Sequence, residues 1–313
     1  MTSKVPTFSD IEDAAARIQP HVHHTPVFTS ATLDSRSGAS LFCKAENLQK
    51  VGAFKARGAT NAVLSLAPED LAKGVATHSS GNHGQAVAYA ANIVGTRATV
   101  VMPNHAPAVK VDAVKGYGAT VVKCPHAERE ATLASVVEAT GATVVHPFDN
   151  RNVIAGQGTA ALELIGQVPD LDIIITPIGG GGLLSGTTLV ASAHGIEAVG
   201  AEPEVVDDAF RSLAAGRLIP LDRSDTVADG LRTSLSELTF SILRAHLTAI
   251  QTVSEAEILR ALRSIWERMK ILVEPSSAVT LAALEHLRGD LAGRRVGLIL
   301  SGGNVDLDAL PMG

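Results

Sequence analysis

Short hydrophobic runs recur along the chain, each followed by a longer stretch with helical spacing. Val-, Ile- and Leu-rich segments fall at 41–44, 75–78, 99–102, 120–123, 143–146, 173–178, 198–201 and 296–300. Runs this short and continuous are what strands buried on both faces look like. Their alternation with helical stretches predicts an α/β chain of open, mostly parallel, twisted sheets with helices on both faces. Two helix starts carry capping-box spacing, Ser9 with Glu12 and Ser254 with Glu257. Beyond Ser254, Ile258, Leu262, Ile265, Trp266 and Met269 form one stripe, the pattern of a helix facing a core. No linker, low-complexity tract or internal repeat is evident, so two lobes would have to be interleaved.

One junction between strand and helix stands out. Gly179, Gly180, Gly181 and Gly182 follow the apolar run 173–178 and precede Leu183-Leu184-Ser185-Gly186. Without Cβ atoms the backbone N–H groups can converge on an anion, and the helix dipole adds partial positive charge, so the segment reads as a phosphate cup. A nucleotide P-loop needs Lys after its last glycine, but Gly186 is followed by Thr187-Thr188. A dinucleotide site needs a third Gly or Ala five residues after the first, where Gly179 leads to Leu184 and Gly180 to Ser185. Glu202 stands about where a ribose-binding acid belongs, which keeps an NAD-binding oxidoreductase as a rival. An ordinary turn needs one or two glycines, not four.

Composition narrows the setting. With 313 residues, 46% of them hydrophobic, the chain can bury a large core and hold two lobes. The N-terminal Met1-Thr2-Ser3-Lys4-Val5-Pro6 lacks an apolar signal core, and no apolar run reaches membrane-spanning length, which predicts a cytoplasmic protein. Cys43 and Cys124 lack metal-ligand spacing and read as reduced structural thiols. A net charge of −6 and the absence of a basic block argue against nucleic acid. A small-molecule ligand is expected.

Three further segments gather polar chemistry at strand ends. In Gly52-Ala53-Phe54-Lys55-Ala56-Arg57-Gly58, small neighbours and Phe54 let Lys55 be partly desolvated, which lowers its pKa toward what Schiff-base chemistry needs; a surface lysine is the alternative. Ser79-Ser80-Gly81-Asn82-His83-Gly84-Gln85 follows a strand and opens an Ala-rich helix, a second anion cup sized for a carboxylate, or else a plain N-cap. Leu300-Ser301-Gly302-Gly303-Asn304 ends the last apolar strand, where ligands sit in open α/β sheets; it too reads alternatively as a glycine turn.

The four segments, in this order and over nearly the whole chain, resemble the fold-type II family of pyridoxal-phosphate enzymes, which includes serine and threonine dehydratases, serine racemase and 3-hydroxyaspartate dehydratases. The resemblance implies Lys55 as the Schiff-base lysine, Phe54 as the residue packed beside the cofactor ring, and Asn82 as the partner of its 3'-oxygen. It implies residues 179–182 as the phosphate loop and Ser301 as the group facing the pyridine nitrogen. It also implies a large cofactor-binding domain of residues 1–73 and 150–313, a small mobile domain of residues 74–149 carrying the substrate-carboxylate loop, and a homodimer. That loop would bring Ser79, Ser80, Asn82 and His83 to the substrate.

Two features point to a branch. Many threonine dehydratases have alanine where this chain has Ser80, whereas serine racemase and its hydroxyaspartate-cleaving relatives have serine, which would act on the cofactor face opposite Lys55. Glu202-Pro203-Glu204-Val205-Val206-Asp207-Asp208 resembles that branch's cation loop, with Glu202, Asp208 and the carbonyl of Val206 as ligands. Hard oxygen donors suit Mg²⁺, Mn²⁺ or Ca²⁺; a solvated acidic loop is the other reading. Arg129 resembles a side-chain-binding arginine and would pair with a distal carboxylate, or else with Glu128 or Glu130. Ser234 and Ser236 would meet a small hydroxyl substrate, and Glu237 has no assigned role. The chemistry expected is α,β-elimination of serine, threonine or 3-hydroxyaspartate to a 2-oxo acid and ammonia, because a neutral hydroxyl at Ser301 favours prompt loss of a β-hydroxyl. Amino acid racemisation is the alternative, and a non-catalytic carrier of the cofactor the more distant one.

Overall fold

The structure, a computed structural model, describes residues 5–106, 108–223, 225–287 and 291–307. The terminal Met1, Thr2, Ser3 and Lys4, read above for a signal core, lie outside the described residues.

Helix α1 (Phe8–Ile18), strand β1 (Val27–Phe28), α2 (Ala31–Ser37) and β2 (Ser40–Ala45) lead into α3 (Lys55–Leu64) and α4 (Pro68–Lys73). A regular alternation follows: β3 (Val75–His78), α5 (Asn82–Val94), β4 (Ala98–Pro103), α6 (Ala108–Gly116), β5 (Thr120–Cys124), α7 (Arg129–Thr140) and β6 (Thr143–Val144). Next come α8 (Arg151–Gln167), β7 (Ile173–Pro177), α9 (Gly182–Ala193), β8 (Glu197–Pro203) and α10 (Asp208–Ala215). The chain closes with α11 (Glu237–His246), β9 (Ala249–Val253), α12 (Glu255–Ser264), α13 (Pro275–Ala283) and β10 (Arg295–Leu300).

The strands form two sheets. One has the order β1-β2-β10-β7-β8-β9, parallel except for β1 against β2. The other, β5-β4-β3-β6, is parallel throughout and lies wholly within residues 75–144. Alternation along the central strands explains the helical cover. Ile173 and Ile175 of β7, with Leu298 and Leu300 of β10, pack in one core with Leu262 of α12 and Val279 of α13. Ile174 and Ile299 point the other way, into a second core with Leu164 of α8 and Leu183 of α9. Helices α8 and α9 meet where Gly158 faces Gly186; a Cβ on Gly186 would lie 2.5 Å from the Gly158 nitrogen, so the close crossing needs glycine there. In the smaller sheet Val100 and Met102 face the alanine-rich α5, and Val101 faces Leu133 of α7.

The expected strands are present with adjusted ends, and two more, β1 and the edge strand β9, carry too little apolar pattern to be read beforehand. The Ser254 capping box forms as expected, with Ser254 and Glu257 bonded reciprocally. The first helix corrects the other one: Thr7 is the cap and Asp10 completes the box, two residues ahead of Ser9 and Glu12. Starting there brings Phe8 onto the core beside Ile11. Ile258, Leu262 and Ile265 are buried, with Trp266 and Met269 packed against the same core. Cys43 and Cys124 are both buried free thiols, and burial pushes Cys43 up to about 12.

Beneath α3 lies a buried charge network. Arg57 donates to both oxygens of Glu46 at 2.7 and 2.8 Å and to both oxygens of Glu163 at 2.7 and 2.9 Å. Lys44 adds bonds to Glu163 at 2.8 Å, to the Thr25 carbonyl at 2.8 Å and to Gln167 at 2.7 Å. Lys44, Glu46 and Arg57 are fully buried, so the network fixes α3, and with it Lys55, against β2 and α8.

Candidate active site

The lysine loop is laid along the loop that follows β10. Phe54 N–H donates to the Ser301 carbonyl at 2.9 Å, Gly303 N–H donates to Gly52 O at 2.9 Å, and Ala53 bridges Gly302. Val51 sits at φ 55°, a conformation a β-branched residue rarely adopts, and its carbonyl accepts from Asn304 Nδ2 at 2.7 Å. Lys55 then opens α3. Its Nζ donates to the Pro147 carbonyl at 3.0 Å and lies 4.9 Å from the Phe54 ring centroid. Burial lowers its pKa to about 8, opposed by the charge of Glu274, so a useful fraction of this amine is neutral and nucleophilic near neutral pH. The surface-lysine reading is thereby excluded.

Residues 179–182 lie between the end of β7 and the first turn of α9. Gly181 adopts φ 83° at the N-cap position, with no side-chain cap on the helix behind it. The surroundings require bare glycines. A Cβ on Gly180 would lie 2.2 Å from Phe148 Cδ1; one on Gly179 would lie 2.9 Å from Leu231 Cα, and one on Gly181 2.7 Å from Leu235 Cδ2. An uncapped helix N-terminus lined by glycines is an anion cradle that any side chain would fill, and it fits a phosphate.

The loop after β3 supplies the facing wall. Ser79 Oγ accepts from Gly81 N–H at 3.2 Å, and the half-buried Ser80 hydroxyl makes no hydrogen bond among the described residues. Asn82, at the start of α5, donates to both Glu274 oxygens at 3.1 Å and accepts from Asn304 Nδ2 at 2.9 Å. His83 differs from a simple substrate contact. Its buried ring turns away, Nε2 meeting the Val145 carbonyl at 2.8 Å, and burial together with the charge of Lys55 lowers it to about 3. What His83 offers an anion is its backbone N–H at the first turn of α5. Ser301 is buried, 3.2 Å from the Ser277 hydroxyl, and Ser277 in turn bonds both backbone groups of Gly302.

Other expected residues are placed at more distance. Arg129 opens α7 and folds onto His126, with Nε 2.9 Å from its carbonyl and Nη2 3.1 Å from its ring, in place of a Glu128 or Glu130 pair. Burial, and then the charge of Arg129, lower the pKa of His78 at the end of β3. Ser234 Oγ accepts from Leu221 N–H at 2.9 Å, and Ser236 is the capping-box residue of α11. The acidic segment from the end of β8 to the start of α10 is not a solvated face at its two key positions. Glu202 and Asp208 are each 1% exposed. Glu202 accepts from Ala209 and Phe210 N–H groups at 3.0 and 2.9 Å, while Asp208 Oδ2 has no partner among the described residues. Burial raises Glu202 well above the carboxylate range and Asp208 to about 6. Two buried carboxylates side by side, one with an orphaned oxygen, fit a hard cation. Among the described residues no three His, Cys, Asp or Glu side chains gather as a metal cluster, so the remaining ligands there would be the Val206 carbonyl and water.

Sequence reasoning missed Glu274 and the role of Asn304. Glu274 caps the start of α13, is buried, and is raised to about 7 by desolvation and by Asp229. Its one local signal is an acid between an apolar run and the helix-starting Pro275. No described helix is long and apolar enough to cross a membrane.

Comparison with known proteins agrees with this geometry. The pyridoxal-phosphate dependent enzyme family matches residues 18–302. A beta-hydroxyaspartate dehydratase of Paracoccus denitrificans is 49% identical over 311 residues, covering 98% of this chain and 99% of its own. An L-threo-3-hydroxyaspartate ammonia-lyase of Saccharomyces cerevisiae is 44% identical over 308 residues, covering 97% and 94%. The crystal structure of serine racemase from Dictyostelium discoideum superposes with a TM-score of 0.93 at 49% identity, covering 96% of this chain and 99% of that one. With a half-buried lysine of lowered pKa, a glycine cradle that fits a phosphate, and that match over most of its length, the chain belongs to the pyridoxal-phosphate dependent enzymes of fold type II.

Proposed function

We propose that the protein is an ammonia-lyase that eliminates the β-hydroxyl of a small β-hydroxy amino acid as water, the resulting enamine tautomerising and taking up water to give a 2-oxo acid and ammonia, with 3-hydroxyaspartate, serine and threonine as the substrate class. The observation that carries this reading is the half-buried Lys55 amine, held at 3.0 Å by the Pro147 carbonyl, one residue from the Phe148 ring that covers the glycine cradle. The dehydratase and ammonia-lyase relatives support it.

Residues 179–182 would hold the cofactor phosphate, Phe54 would pack beside its ring, Asn82 would face its 3'-oxygen and Ser301 its pyridine nitrogen. When bound, pyridoxal phosphate supplies an electron sink for the charge left at the α-carbon. Ser79, Asn82 and the N–H groups opening α5 bind the substrate carboxylate. Lys55, as a neutral amine, takes the α-proton. Ser301 is a neutral hydroxyl 3.2 Å from another hydroxyl, so it would meet the pyridine nitrogen without protonating it, a setting that would favour loss of the β-hydroxyl. Arg129 stands near enough to His78 to meet a distal carboxylate once its side chain leaves His126. Residues 74–149 act as a mobile lobe whose closure excludes water. Glu202, Asp208 and the Val206 carbonyl hold Mg²⁺ or a similar cation, which ties the loop to the lobe bearing the cradle without touching substrate.

Racemisation is the second reading. The free hydroxyl of Ser80 favours it, and so does the likeness to serine racemase.

Two measurements test the proposal together. Borohydride reduction and peptide mapping should place the cofactor on Lys55, and keto-acid release should be seen with stereoisomers of the three substrates, falling with a chelator. Label on another lysine removes the central assignment, and labelled enzyme that releases no keto acid removes the lyase. Ser80→Ala should suppress racemisation while elimination from one isomer survives.

A further inference from the structure

The chain passes between the two sheets a second time at residues 145–150, and this short crossing touches His83, Lys55 and the glycine cradle. Its near end belongs to the smaller sheet, where Val145 N–H donates to Ala76 O at 2.9 Å. Its far end starts α8, capped by Asn150 Oδ1 accepting from Asn152 and Val153 N–H at 2.9 and 3.1 Å. In between, the Val145 carbonyl takes the His83 ring, the Pro147 carbonyl takes the Lys55 amine, and Phe148 lies over the cradle, its ring against Gly180 and its Cβ and Cα against Gly182.

The bend that aims these groups is built on one imidazole. His146 Nδ1 accepts from Asp149 N–H at 2.8 Å and more weakly from Phe148 N–H at 3.4 Å. Both partners are donors, so Nδ1 carries the lone pair and the proton sits on Nε2. The ring also packs edge-on to Phe148, centroids 4.6 Å apart, and edge-on to His78 at 6.3 Å. Imidazolium would break both backbone bonds. Burial opposes it, lowering His146 to about 4; Lys55 and His78 add to this, while Asp149 and Glu130 work against it.

We propose that His146 is a positioning residue: by bending residues 146–149 back on Nδ1 it points the Pro147 carbonyl at Lys55 and so orients the catalytic amine. The inference rests on the reading of Lys55 as the base that takes the α-proton. A neutral amine has two N–H bonds and one lone pair. Donating one N–H to a fixed carbonyl limits where the lone pair points, and proton removal needs it aimed at the α-carbon. Because the same residues join the sheets, movement of the smaller sheet is felt at the amine.

The test compares His146→Ala and His146→Gln, which remove or displace the acceptor, with His146→Asn, whose Oδ1 stands close to where Nδ1 was. The first readout is Lys55 itself in the cofactor-free chain. Its rate of reductive methylation is followed against pH by peptide mass mapping, in a setting where Glu274, His83 and His146 are the titratable groups coupled to it. In the wild type the midpoint should lie at about 8. In His146→Ala and His146→Gln it should fall by about half a pH unit or more, because the ammonium form loses its carbonyl acceptor. In His146→Asn it should return. The second readout is turnover. In the Ala and Gln variants kcat should fall by up to about a hundredfold with KM changed far less, and the isotope effect from an α-deuterated substrate should rise as proton removal becomes limiting. An unchanged or higher Lys55 midpoint in both variants, or a lowered kcat with no rise in isotope effect, overturns the proposal. Failure of borohydride to label Lys55 in the wild type would instead overturn the functional reading beneath it.

Discussion

Glu274 is the residue whose chemistry departs furthest from its surroundings. It is a buried carboxyl touching Asn82, Asn304 and the charge of Asp229, and it titrates at about 7 against an ordinary 4.5. A carboxyl whose folded pKa is raised binds its proton more tightly in the native state. Its contribution is therefore favourable below about pH 4.5 and is lost as pH climbs toward 7. Glu274→Gln removes that titration. The stability of the wild type relative to this variant should fall by as much as about 3 kcal/mol between pH 4.5 and 7 and then level off. Denaturant unfolding of both proteins across that range checks it; parallel curves would mean that Glu274 ionises without cost. The position escaped sequence reading for a physical reason. Lys55 and residues 179–182 announce themselves through small neighbours in the same few residues, whereas Glu274 acts on Asn82, 192 positions away, and its only local mark is its place before a helix-starting proline. His146 and Asn304 were silent for the same reason.

At the scale of elements, the strands buried on both faces were legible because apolar continuity is their only solution. Strands β3 and β10 fall nearly where their runs predicted, while β6 stops at Val144 because the chain turns into the crossing at Pro147. Edge strand β9 escaped because its buried Ile250 and Val253 are diluted by Gln251 and Thr252. The first helix began at Thr7 instead of Ser9 because two overlapping cap signals compete and the earlier one also buries Phe8 against the core. Helix α8 carries the clearest cap, Asn150, and this cap also ends the crossing that bears Pro147. Asn150→Ala should cost about 1 kcal/mol, seen as a melting point lower by roughly 2 °C in a chain of this size, while Asn150→Asp should keep most of it. If Ala and Asp melt alike, the side-chain bonds to Asn152 and Val153 contribute nothing.

For the whole molecule, several polar contacts join the two sheets' helices and loops. Asn82 reaches Glu274 and Asn304, and Lys110 of α6 pairs with Asp229 at 2.8 Å. The Lys110 pair is partly exposed, so it should matter little for melting and more for closure. Lys110→Ala should raise KM about two- to fivefold, what an exposed pair worth up to ~1 kcal/mol supplies. The wild type should approach the variant as salt rises; a gap that persists in high salt would show that charge is not the link. The buried network of Lys44, Glu46, Arg57 and Glu163 has a different reach. Taking away one member of such a set strands the rest, at about 3–5 kcal/mol, whereas apolar replacement of a whole buried set of this kind is often neutral or better. From the intact network, every first single step goes downhill in stability. Mutational history can thus leave this arrangement only by simultaneous change, and the charges under the lysine helix persist because their origin cannot be retraced one substitution at a time.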